Sequence, residues 1–175
     1  MENFISNIVR DIKVDITDEF DMNFRRKAFF DKPWKPTKQV NSRGSLMMRS
    51  GNLRNSISSK IQGTDISFSS SLPYASIHNE GGTITVTAKM KRFFWAMFYK
   101  SSGAIGKGGS QRNQRLSVEA QQWKNMALMK VGQKMKVDRR QFIGWHPVVD
   151  KRIKTIFDDH VKDIETYLKS RLNKR

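Results

Sequence analysis

Apolar residues recur every fourth position at the start of the chain, at Phe4, Ile8, Ile12, Ile16, Phe20 and Phe24. Ile5, Val9 and Ala28 flank this line, and the rest of the surface is charged. The spacing predicts an amphipathic helix over 2–30, about 40 Å long at 1.5 Å per residue. A strict four-residue repeat drifts around a helix of 3.6 residues per turn, so the stripe must wrap or the helix must bend. A second long stripe closes the chain: Val149, Ile153, Ile156, Phe157, Val161, Ile164, Leu168 and Leu172 predict a helix over 148–172.

Shorter patterns lie between them. KPWKPTKQVNSRGS, with two prolines, reads as an extended irregular stretch in which Trp34 is a packing anchor. LMMRSGNLRNSI breaks at Gly51 and then allows a short helix that turns Leu53 and Ile57 to a core. IQGTDISFSSS alternates around a Gly-Thr-Asp turn and predicts a hairpin. YASIH predicts a turn or short helix before Gly81 and Gly82; TITVTA and VGQKMKVD read as strands. KMKRFFWAMFYK allows a strand, but its lack of alternation favours a helix; LSVEAQQWKNMALMK reads as a helix, and 101–115 reads as a mobile glycine-rich loop whose tip carries Lys107, Arg112 and Arg115. Strands and helices do not alternate strictly. The expected class is α+β, with long N- and C-terminal helices on a small antiparallel sheet and a helical, loop-rich insertion at about 89–132, in one domain over 1–175.

Charge changes the picture. The 33 basic and 16 acidic residues leave +17, unevenly spread. Residues 1–31 hold 5 basic and 7 acidic residues, 32–138 hold 18 and 4, and 139–175 hold 10 and 5. A positive field centred on the middle of the chain attracts nucleic acid or an acidic protein surface in a salt-dependent way. No run of apolar residues is long enough to span a membrane. The acidic N-terminus has no secretory-signal pattern, and the lack of cysteine rules out disulfides and thiolate zinc sites.

Candidate chemistry is sparse. His78, His146 and His160 lie far apart, without metal-ligand spacing, and the chain has no phosphate-binding glycine loop and no nucleophile elbow. His78 and Glu80 suggest an acid/base pair in YASIHNEGG, but residues two apart do not face each other on a helix. The better reading has Tyr74, Ala75 and Ile77 docking the segment and the two glycines reversing it into the next strand. Neither a cofactor nor a metal is expected. The basic and aromatic interleaving in KMKRFFWAMFYK leaves a basic nucleic-acid-binding module as the alternative function.

Four motifs in order carry a resemblance: PWKP at 33–36, LMMRSGNLRNSI at 46–57, YASIHNEGG at 74–82 and RRQFIG at 139–144. Together they make the chain similar to the phage virion morphogenesis family, the Mu-like tail-completion or neck proteins, over nearly its whole length. The matching residues are Trp34, Gly51, Leu53, Tyr74, His78, Gly81, Gly82, Arg140, Phe142 and Gly144, all as structural positions. Gln141 stands where the family pattern has proline, which implies a less rigid bend there. The resemblance implies a non-enzymatic structural protein of the virion, at the head–tail joint or the head-proximal end of the tail. Its partners would be tail and connector proteins, further copies of itself in a ring, and the passing DNA. Lys107, Arg112 and Arg115 are the candidates to face DNA or a partner.

Overall fold

A computed structural model describes residues 2–37 and 44–172; the part of the expected extended stretch at 38–43 lies outside the described residues. The chain is α+β and divides into two compact units.

The first unit comprises Met1–Pro33, Leu53–Pro73 and Gln141–Arg175. Its first helix, α1 (Glu2–Arg26), buries Ile8, Ile12, Ile16, Phe20 and Phe24. Each fully buried side chain of this size contributes about 1.5–3 kcal/mol. The helix stops four residues before the expected 30. Lys27 has a left-handed backbone (φ 55°), and so has Phe30 (φ 54°). Between them β1 (Ala28–Phe29) turns back onto β2 (Lys32–Pro33). Such conformations cost non-glycine residues roughly 1–2 kcal/mol each. What holds them is Asn23, fully buried on the last turns of α1: its Oδ1 accepts from the Phe30 N–H at 2.9 Å, and its Nδ2 donates to the Phe142 carbonyl at 3.1 Å. Ala28 therefore enters the core from a strand rather than from the helix.

The hairpin of β3 (Ile57–Gln62) and β4 (Asp65–Ser70) follows the alternation in the sequence, with Gln62 paired to Asp65 across Gly63–Thr64. Ile66 and Phe68 point to the α1 core, where Phe68 meets Phe20 edge-on at 4.9 Å. Arg54, on the single-turn helix α2 (Asn52–Asn55), grips Asp21 with two nitrogens. That bond holds the Asp21 carboxyl below its ordinary range. The last helix, called α6 below (Pro147–Leu172), begins with proline at its first position and packs Val148, Val149 and Ile156 on the same core. Its Arg152 bonds Asp15 at 2.8 Å and also Glu19; its His160 bonds Asp11 at 2.9 Å.

The second unit comprises Trp34–Asn52 and Tyr74–Arg140. It contains α3 (Ala75–Glu80), β5 (Gly82–Thr85), α4 (Ala88–Gly103), α5 (Gln111–Leu128) and β6 (Lys134–Val137). β5 and β6 pair antiparallel, Gly82 opposite Val137 and Thr85 opposite Lys134, and the α4–α5 helical hairpin rises from that ladder. Thr87 and Ser110 cap the two helices through their hydroxyls. Phe94, Trp123 and Ala127 form the buried centre, with Met90, Met97, Phe98 and Met126 around it. The strands expected as one small sheet thus form two separate two-stranded ladders, β3–β4 and β5–β6, and a third ladder among the described residues, β1–β2, lies where the sequence predicts no strand.

Candidate functional site

The motif residues gather in two places. In the second unit the YASIHNEGG segment is held against RR by main chain. The Arg140 N–H donates to the His78 carbonyl at 2.8 Å. A Cβ on Gly81 would sit 2.8 Å from the backbone nitrogen of Arg139, so the two strands of chain touch where glycine stands. Gly81 closes α3 with φ 74° and ψ −177°, a region open only to glycine. Gly82 follows as the first residue of β5, against the Ile77 side chain. The Arg140 guanidinium donates to the Lys35 carbonyl at 3.1 Å and lies 3.9 Å from Asp138, which Lys35 also contacts at 3.2 Å. PWKP and RR are thereby tied together beside the buried Trp34.

His78 takes part through its backbone. Its ring stands edge-on to Tyr74 at 6.0 Å, and its buried Nδ1 has no hydrogen-bond partner among the described residues. Burial first, and the nearby Arg140 charge second, push its pKa below the ordinary histidine value. The folded form therefore disfavours its protonation, and among the described residues no carboxylate is bonded to its ring.

In the first unit, Phe142 is fully buried with its ring 5.2 Å from that of Phe24, and Leu53 is buried. Gly144 lies against the Gln141 amide. That amide donates to the Ile143 carbonyl at 3.3 Å, so a side-chain bond braces the bend where the family pattern has proline. Sequence reasoning missed His146. It is buried, stacked on Phe30 at 4.6 Å and edge-on to Phe29 at 5.5 Å. Its Nδ1 accepts from the Val148 N–H, so Nε2 carries the proton toward Asp31, 2.9 Å away.

The expected loop over 101–115 is shorter. α4 continues to Gly103, and α5 begins at Gln111, leaving 104–110 as the connection. The buried Asn113 side chain bonds the backbone of Gly106 twice and of Gly108 once, which the glycine content of the stretch concealed. Lys107 stays on the connection, exposed, whereas Arg112 and Arg115 stand exposed on the first turns of α5. A cleft of about 650 Å³ opens beside them, lined by Arg49, Lys100, Arg112, Met97, Leu116 and Glu119. Glu119 is buried and accepts from Trp123 Nε1 at 3.3 Å and from Arg49 at 3.4 Å. One carboxylate thus answers three cations around the cleft. Over 88–140 the chain carries 13 basic and 2 acidic residues.

The model of the phage virion morphogenesis family matches residues 6–162. The chain belongs to that family. Membership gives it a structural or morphogenetic role in the phage virion, in company with other virion proteins. Searches of curated proteins and of solved structures found no match. Among the described residues, no helix is long and apolar enough to cross a membrane, and no three metal-ligating side chains cluster.

Proposed function

We propose that this family member works without catalysis at the head–tail joint, as a tail-completion or neck component that helps join head to tail and line the DNA channel. In this reading the whole of 1–175 acts as one functional domain, with 89–132 as its insertion, and copies form a ring between tail and connector proteins. The observation that carries the reading is the concentration of positive charge on the α4–α5 insertion within a chain of this family. Lys107, Arg112 and Arg115 face outward there and would meet packaged DNA or an acidic ring above or below. The motif residues Trp34, Tyr74, His78, Gly81, Gly82 and Arg140 shape the base of that insertion rather than a reaction centre.

Copies carrying +17 repel one another, so the joint must hold them by attraction to DNA or to an acidic ring, and salt screens that attraction. Joining of purified heads and tails by the added protein is expected to fall steeply as salt rises about tenfold through the range where the Debye length shrinks from ~30 to ~10 Å. Replacing Lys107, Arg112 and Arg115 by glutamine should flatten that dependence. Joining that is indifferent to salt would refute the electrostatic part of the proposal.

A further inference from the structure

The cleft of about 650 Å³ in the second unit is built by two helix stripes that face each other. Met97, Lys100 and Ala104 follow one another along α4 at steps of three and four residues; Arg112, Leu116 and Glu119 do so along α5 at steps of four and three. Arg49 closes the cleft from the segment before α2. Part of the lining is apolar, at Met97, Ala104 and Leu116, and part is cationic. The one carboxylate, Glu119, is already bonded to Arg49 and to Trp123 Nε1. Among the described residues no carboxylate is bonded to Lys100 or Arg112. The site is also preformed. Glu119 and the Trp123 ring, 5.8 Å from the guanidinium, hold Arg49 in place. Three bonds from Asn113 to Gly106 and Gly108 fix the connection between Lys100 and Arg112.

We propose that this cleft seats an acidic segment of a partner protein: a carboxylate clamped by Arg49, Lys100 and Arg112, with a neighbouring aliphatic side chain laid on Met97 and Leu116. Like charges gathered in a concave site concentrate a positive potential, which favours an anion. The shape and the apolar lining choose the anion. Duplex DNA carries its phosphates on a convex cylinder, which brings them to exposed side chains such as Lys107 and Arg115 and keeps them out of a cleft of side-chain size. The volume lies within the roughly 300–1,000 Å³ of sites that enclose small groups. A glutamate or aspartate beside an aliphatic residue satisfies both halves of the lining. Its oxygens accept charge-assisted bonds from the guanidinium and ammonium groups, and the aliphatic group removes apolar surface from water. Because the cations are already in place, little ordering is needed on binding. The assignment of the segment to a virion protein rests on the head–tail reading; the ligand chemistry rests on the cleft alone.

Fluorescence anisotropy of the full chain with labelled peptides tests the proposal. A short peptide repeating glutamate, leucine and serine should bind, and one of equal charge with serine in place of leucine should bind at least about tenfold more weakly. Lys100→Glu with Arg112→Glu should weaken the leucine peptide at least about tenfold. Lys124→Glu with Lys130→Glu, which changes the net charge equally outside the cleft, should have a much smaller effect. All four side chains are exposed, so unchanged circular dichroism confirms the fold, and the comparison of the two peptides needs no variant. A short DNA duplex should weaken alike on either pair, because it responds to net charge. No binding of the leucine peptide up to ~1 mM overturns the proposal. So do equal affinities for the two peptides, or equal losses from the two charge pairs. A duplex that loses binding through Lys100 and Arg112 selectively assigns the cleft to DNA and overturns it as well. The assay contains no phage particle, so its failure leaves the head–tail reading standing.

Discussion

Replacing Phe142 by alanine is expected to lower the stability of the protein by about 3–5 kcal/mol, the range for deleting a fully buried phenylalanine side chain. Phe142 has no exposed surface, and its ring lies against Phe24 on the last turns of α1. Its carbonyl also takes the hydrogen bond from Asn23 that fixes the left-handed turn at Phe30. Loss of the ring leaves a cavity beside the residues that join the end of α1 to the approach to α6. Since domains of this kind are stable by only about 5–15 kcal/mol, the variant should melt far below the parent or fail to accumulate. Denaturant unfolding monitored by circular dichroism measures the change. A loss under about 1 kcal/mol would show that this contact does not hold the first unit together.

Gly81→Val is expected to be as damaging, for a different reason. The backbone at Gly81 lies in a region that costs other residues about 1–3 kcal/mol. A Cβ there would also press on the Arg139 main chain, adding roughly another 1–3 kcal/mol of overpacking. The bond from Arg140 to the His78 carbonyl would be lost or stretched as the two segments part. Gly63→Ala serves as the control: its φ of 62° is also left-handed, but nothing lies within 4 Å of an added Cβ. It should cost only the roughly 1–2 kcal/mol of the left-handed backbone. Equal melting points for the two variants would show that Gly81 serves as an ordinary turn residue and not as a point of close approach.

These two sites also show what could be seen from the sequence. The four-residue apolar spacing defined α1 and α6, and the alternation about Gly63 defined the β3–β4 hairpin, because those periods report local geometry directly. The end of α1 at Arg26 was hidden, since it depends on Asn23 bonding to residues 7 and 119 positions away. The motif order identified YASIHNEGG and RR, but their union is made by backbone atoms, which side-chain chemistry does not reveal. The 101–115 stretch looked like a long loop because glycine content says nothing of an asparagine that straps the connection to its own helix. On α6 the apolar residues read as one list, and only their exposure separates Val148, Val149 and Ile156 at the core from Phe157, Leu168 and Leu172 outside it.

The most direct measurement is electron microscopy of phage particles produced without this protein. Filled heads and finished tails that remain separate, and that join when the purified protein is added back, are the predicted result. Normal, infectious, joined particles in its absence would contradict the account.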